Sequence, residues 1–298
     1  MWKKEWNIKI NEIWYDFSEC VPETEIDHWK DNLKKESGAG SPAGGTALKE
    51  CPDGELTGKN PNVLLVTDST KRCKEAMKTG VPFLLYLHSK NQEESFEGIP
   101  FAVMELKDVT LSYAEKIFQR FRNIPWTILE TDRCIIREIT EDDLEELYQI
   151  YEEPSISLYT ENLYEDPQKE RAYIRDYIEQ VYKFCGYGIW AVIHKESGRM
   201  IGRAGLACRE GFDTPELGYV IAVPYQRRGY AAEVCRAILD YSASELGFSQ
   251  IRVLFHHENV ASLRLCQKLG FQRDGEMLMD GENMLQYIYK GTVKNEDK

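Results

Sequence analysis

Residues 216–234 read ELGYVIAVPYQRRGYAAEV, and the succession of residue types there decides how the chain is organised. The run from Leu217 to Val223 is apolar and has the character of a strand, which Pro224 ends. Gly229 and Ala231 then stand at the mouth of a long helical stretch, YAAEVCRAILDYSASELG. Small residues at such a junction let the backbone approach a ligand, and the free amides of a first helical turn point outward at an anion. The turn suits a pyrophosphate, with Arg227 and Arg228 adding positive charge at its rim. A plain tight turn with two solvated arginines would satisfy the same letters, so the surrounding elements have to decide.

Downstream come an apolar strand, IRVLFH, and a helix opened by Asn259, NVASLRLCQKLGF. Upstream, CIIREI reads as a strand and TEDDLEELYQIYEE as a helix with Thr140 as N-cap and Asp143 three residues on. A second helix follows in QKERAYIRDYIEQVYKF. Two strands, YGIWAVIHKES and GRMIGRAGLACRE, then meet at a Ser197-Gly198 turn. Two further strand candidates, EMLM and MLQYIYK, close the chain. The order is therefore β-α-α-β-β-β-α-β-α-β-β.

In this order, and in the segments ELGYVIAVPYQRRGYAAEV and NVASLRLCQKLGF, the sequence resembles the GNAT superfamily of acyl-CoA-dependent N-acetyltransferases over roughly residues 131–290. It looks most like the branch that holds the ribosomal-protein N-terminal acetyltransferases and several antibiotic acetyltransferases. The resemblance implies an α/β GNAT fold with a central mixed, mostly antiparallel sheet, and acetyl-CoA as cofactor. It also implies that the strands Leu217–Val223 and Ile251–His256 part, with the pantetheine arm in the gap. Backbone groups of Val220, Ile221 and Val223 would then bind the arm and thioester. Gln226, Arg227, Arg228, Gly229, Tyr230 and Ala231 would surround the pyrophosphate, chiefly by main-chain amides. Asn259 would bond the arm, cap its helix, or do both.

Acetylation of an amine needs a proton sink, because an amine with pKa near 10 is mostly protonated at neutral pH. Glu216, at the entrance of its strand, is the expected base, although a solvated acid at a strand end would look the same. Many relatives carry tyrosine in a pattern LYxxxGF, whereas this chain reads LCQKLGF with Cys266 at that place. Ser262 is the preferred proton donor to the departing thiolate, with Cys266 as the other candidate. The loop Glu153–Gln168, with Tyr159, Glu161, Tyr164, Glu165 and Asp166, is expected to shape the acceptor site. The acceptor itself, a small-molecule amine or a peptide N-terminus, stays open. So does a rival reading as an acyl-CoA sensor or interaction module, and so does homodimerisation.

Composition narrows the alternatives. With 50 acidic against 37 basic residues the net charge is −13, which argues against a general nucleic-acid binder. Eight scattered cysteines and five histidines form neither CxxC pairs nor HExxH, so no metal is expected. No apolar run reaches membrane-spanning length, and the first residues lack a secretory pattern, so a cytoplasmic location is the default expectation.

At 298 residues the chain exceeds one ordinary domain. Residues 1–36 read as an aromatic-rich extension and residues 37–62, rich in glycine and proline, as a linker. Residues 63–130 read as a small α/β module whose thin sheet would need cover from its neighbour, and 131–298 as the acetyltransferase domain. Within residues 63–88, Asp68, Ser69, Ala76 and Gly80 resemble a late strand-helix-strand stretch of haloacid-dehalogenase-type hydrolases. Their nucleophile motif DxDxT is absent, so phosphatase work is not implied and Asp68 is expected to be structural.

Overall fold

The computed structural model describes residues 9–36, 45–52, 54, 56, 61–209, 211–279 and 281–291. The chain divides into two compact units, and the division falls between Ile124 and Pro125 in sequence.

The first unit is built from β1 (Glu12–Asp16), α1 (Glu23–Glu36), β2 (Ala47–Glu50), β3 (Val63–Thr67), α2 (Thr70–Thr79), β4 (Phe83–Tyr86), β5 (Ala102–Val103) and α3 (Leu111–Phe121). The strands form one parallel sheet in the order β2-β1-β3-β4-β5. Every residue of β3 and β4 is buried, as expected of parallel strands covered on both faces. The segment expected to be an N-terminal extension thus supplies β1, which lies between β2 and β3, and β2 falls in the stretch read as linker. Trp2 and Trp6 lie outside the described residues. Trp29, 1% exposed, packs edge-on against Phe17 and donates Nε1–H to the Val109 carbonyl at 3.0 Å. The cover that the thin sheet needed therefore comes from its own N-terminal segment. Asp68 accepts from the Ser18 amide (3.0 Å) and hydroxyl (2.5 Å) and lies 3.1 Å from His88 Nε2. Ser69 caps α2, and Gly80 ends it in the left-handed region. Asp68 thus joins Ser18 to His88, and Ser69 and Gly80 delimit α2.

The second unit contains β6 (Thr127–Glu130), β7 (Cys134–Arg137), α4 (Leu144–Tyr151), α5 (Pro154–Ser157), α6 (Pro167–Tyr177), α7 (Lys183–Cys185), β8 (Ile189–His194), β9 (Met200–Ala207), β10 (Glu216–Ile221), α8 (Tyr230–Ser244), β11 (Gln250–His256), α9 (Val260–Leu269), β12 (Gln272–Met279) and β13 (Glu282–Lys290). Its eight strands run in the order β12-β13-β11-β10-β9-β8-β7-β6, antiparallel except where β10 meets β11. The expected mixed, mostly antiparallel sheet preceded by a smaller α/β module is present, with one strand more, β6, than the residues suggested.

Three devices hold the site's scaffold. Thr140 and Asp143 form the expected capping box, and the Asp143 carboxylate, 1% exposed, also accepts a two-bond fork from Arg137 at 2.7 and 2.6 Å. A π-helical turn, Ile178–Tyr182, follows α6. From this region the Tyr177 hydroxyl accepts from the Ile189 amide (2.8 Å) and the Tyr182 hydroxyl donates to the Ile189 carbonyl (2.5 Å). Both bonds fix β8. Gly202 lies so close to β10 that a Cβ there would stand 2.1 Å from the Val220 carbonyl oxygen, so glycine alone permits β9 and β10 to pack at this point.

Candidate active site

The ladder between β10 and β11 pairs Glu216 with Arg252, and among the described residues no further register pair joins the two strands. β10 stays paired with β9 over its whole length while β11 turns to β13, so a gap opens beyond Glu216. Glu216 sits at the closed end of this gap. Its carboxylate accepts from Arg209 Nε at 2.9 Å and Nη2 at 3.4 Å, and its side chain is 14% exposed.

At the other end β10 runs into a short turn, Val223–Tyr225, and then into α8. Gln226 donates its side-chain amide to the Ile221 carbonyl at 2.9 Å, which ties the turn to the strand. Arg227 and Gly229 both have positive φ, +57° and +88°, and Gly229 is the N-cap of α8. The first backbone bond into the helix is Glu233 N–H to the Gly229 carbonyl, so the amides before Glu233 face outward, as a phosphate-binding turn requires. Glu233 in that first turn would repel an anion, but Arg133 binds it through its amide (2.9 Å) and Nε (2.6 Å). The charge is thereby neutralised locally. Tyr230 is 3% exposed and its hydroxyl lies 3.0 Å from His194 Nε2, so only its main chain faces the turn. The residues present therefore fit a pyrophosphate.

The gap is bridged on one face by Tyr219, whose hydroxyl donates to Ser262 Oγ at 2.9 Å. Burial raises the Tyr219 phenol above its ordinary value, so it stays protonated. Asn259 caps α9 by accepting from the Ser262 amide at 3.0 Å. Cys266, one helical turn further on, is 1% exposed, and burial pushes its thiol up to about 12. In the loop before α6, Tyr159 stacks on His256 at 6.1 Å, while Asp166 caps α6 and the Tyr164 backbone is held by Glu170 and Tyr148. Sequence reasoning brought out Glu216, Ser262 and the turn. It missed Tyr219, Arg209 and Arg133, which meet their partners only through the fold. The strand register hinted at Tyr219 alone.

Comparison with known proteins shows the family. The family described as "Acetyltransferase (GNAT) domain" matches residues 133–272. YoaA of Bacillus subtilis, described as an uncharacterized N-acetyltransferase, is 31% identical over 166 residues, which is 55% of this chain and 89% of that protein. The chain belongs to the GNAT acetyltransferase family. YnaD, a second Bacillus subtilis protein described as an uncharacterized N-acetyltransferase, is 27% identical over 148 residues, 49% of this chain and 84% of its own. A solved GNAT-family acetyltransferase from Bacillus anthracis is 22% identical, with a TM-score of 0.47, covering 54% of this chain and 97% of that one. Among the described residues, no GNAT-unit cluster of three or more His, Cys, Asp or Glu side chains is placed to hold a metal. No described helix is long and apolar enough to cross a membrane.

Proposed function

We propose that the unit from Pro125 onward transfers an acetyl group from acetyl-CoA to a primary amine, of a small molecule or a protein N-terminus, by direct attack in a ternary complex. The observation that carries this reading is the gap between β10 and β11, with Glu216 at its closed end and the outward amides of the α8 turn at its other end. Bound acetyl-CoA supplies an activated thioester. Backbone groups of Val220, Ile221 and Val223 hold its arm, and the amides from Gln226 to Ala231 hold its diphosphate. Asn259 positions the turn before α9 through its cap.

Glu216 takes the proton from the acceptor ammonium once the acceptor shares its carboxylate with Arg209. Attack by the nitrogen forms the C–N bond, and the C–S bond breaks as the thiolate leaves. Because Tyr219 donates into Ser262 Oγ, the serine's own proton is free to point at the departing sulfur. The second proton lost by the acetylated nitrogen passes to solvent, solvent returns one to Ser262, and Tyr219, kept neutral by burial, holds its own. This arrangement favours Ser262 over the deeply buried Cys266 as donor.

Thiol release from acetyl-CoA, measured across a library of amines, amino acids and short peptides, is expected to identify an acceptor. CoA binding at every condition with no transfer would instead make the unit an acyl-CoA sensor. Gly229→Trp tests the diphosphate turn. Any Cβ there sits in an unfavourable φ region and 3.4 Å from the Arg133 guanidinium. CoA affinity by calorimetry is expected to fall at least about tenfold, or ~1.4 kcal/mol. Unchanged affinity would remove the turn from the binding site.

A further inference from the structure

Arg252 is 2% exposed, and its Nε and Nη2 atoms are buried without a hydrogen-bond partner. The contrast with Arg137 is sharp, since that buried guanidinium is closed by Asp143 on both nitrogens. Glu216, the ladder partner of Arg252, is held by Arg209. The Phe212 ring covers the flat face of the Arg252 guanidinium at 3.4 Å from its centroid, which leaves the Nε–Nη2 edge as the unpaired part. Those two N–H groups lie side by side on one edge of the plane, and that fork matches the two oxygens of a carboxylate. A buried charge is tolerated in an evolved fold chiefly when it meets a partner.

Arg252 and Phe212 border a cavity of about 470 Å³, whose other charged walls are Asp213, Arg273, Asp274 and Lys290. Three cationic groups stand against two carboxylates on these walls, and Glu276 pairs with Arg273, so the cavity carries no excess charge and its preference for a carboxylate rests on the unpaired Arg252 fork. Asp274 is occupied by the Gln286 amide at 2.6 Å, and Arg273 pairs with Glu276. Among these walls, the buried donors without a partner are those of Arg252. Adjacent strands lie about 4.8 Å apart, so Glu216 and Arg252 can hold two groups of one small molecule.

We infer that Arg252 anchors a carboxylate of the acceptor, so that the amine acetylated by this chain is amino-acid-like, with its carboxylate close to its nitrogen. This rests on the acetyltransferase reading above. The amine meets Glu216 while the carboxylate closes the Arg252 fork. Because those two nitrogens are buried, reaching that edge requires neighbouring side chains to adjust, an ordinary event on ligand binding.

The test compares matched acceptors that differ only in the carboxylate, such as alanine against ethylamine and phenylalanine against phenethylamine, by thiol release. In parallel, calorimetry measures propionate binding to the full chain without acetyl-CoA. The wild type is expected to favour the carboxylated member by about 100-fold in kcat/KM. Arg252→Met replaces the unpaired charge with an apolar chain of similar length. It should erase the preference and the propionate binding together, and Arg252→Lys, which keeps the charge but not the fork, should fall between. Turnover of amines with no carboxylate preference in the wild type would overturn this inference and leave the acetyltransferase reading standing. Propionate binding lost in Arg252→Met, with no amine turned over, would sink the transferase and with it the acceptor role, leaving Arg252 as a carboxylate-binding site alone. An equal loss for both members of each pair in Arg252→Met would also overturn it, by making Arg252 a purely structural residue.

Discussion

Glu216→Gln is expected to lower kcat/KM for amine acetylation by about 10²–10⁴-fold at neutral pH, the usual contribution of a positioned general base. Glutamine keeps the shape and can still contact Arg209, which bonds the glutamate at 2.9 and 3.4 Å, so the change removes the proton acceptor while largely retaining the packing. The deficit should also depend on pH in a definite direction. An acceptor amine is protonated at neutral pH and deprotonates itself as the pH approaches 10, so the variant should recover ground on the wild type as pH rises. Profiles of kcat/KM between neutral and alkaline pH for both enzymes check this. Parallel profiles, or a loss confined to KM for acetyl-CoA, would assign Glu216 to structure instead.

Asp143→Ala is expected to destabilise the second unit by about 3–5 kcal/mol, because it leaves the buried Arg137 guanidinium without its fork partner and removes the N-cap contact to Thr140. For a unit of this size each kcal/mol moves the midpoint by about 2–4 °C, so a fall of roughly 6–20 °C is expected by scanning calorimetry. A double change, Arg137→Met with Asp143→Leu, removes both charges and should restore much of the loss. A fall of less than about 2 °C for Asp143→Ala would show that the pair contributes little. The pair joins the end of β7 to the turn that starts α4.

The parts of the site legible in the letters are those that a few neighbouring residues settle. Gly229 takes a positive φ at the head of α8, Asn259 bonds the Ser262 amide three residues on, and Thr140 and Asp143 form a box within one turn. Each is a short-range geometric demand that a specific residue type meets, so residue type and spacing were enough. Residues 12–16 were a different case. EIWYD has no regular alternation, and its partners begin at Ala47 and Val63, so nothing near it in the chain marked it as a strand flanked on both sides in a parallel sheet. Parallel pairing requires a long crossover, and its register is invisible to local pattern.

By itself, then, the amino-acid order determined the succession of strands and long helices from Cys134 onward, though not the short helix α5 in the loop before α6, together with the turn into α8, the cap of α9 and the family resemblance they carry, because helix, turn and cap preferences act over a few residues. Only the tertiary structure decided which side chains oppose one another across the gap. Tyr219 reaches Ser262 across 43 residues, and Arg133 neutralises Glu233 across 100. Arg209 takes Glu216 and leaves Arg252 with two unpaired nitrogens. Hydrogen bonds and ion pairs act over a few ångströms of space, and the sheet, not the sequence spacing, sets which groups come within that range.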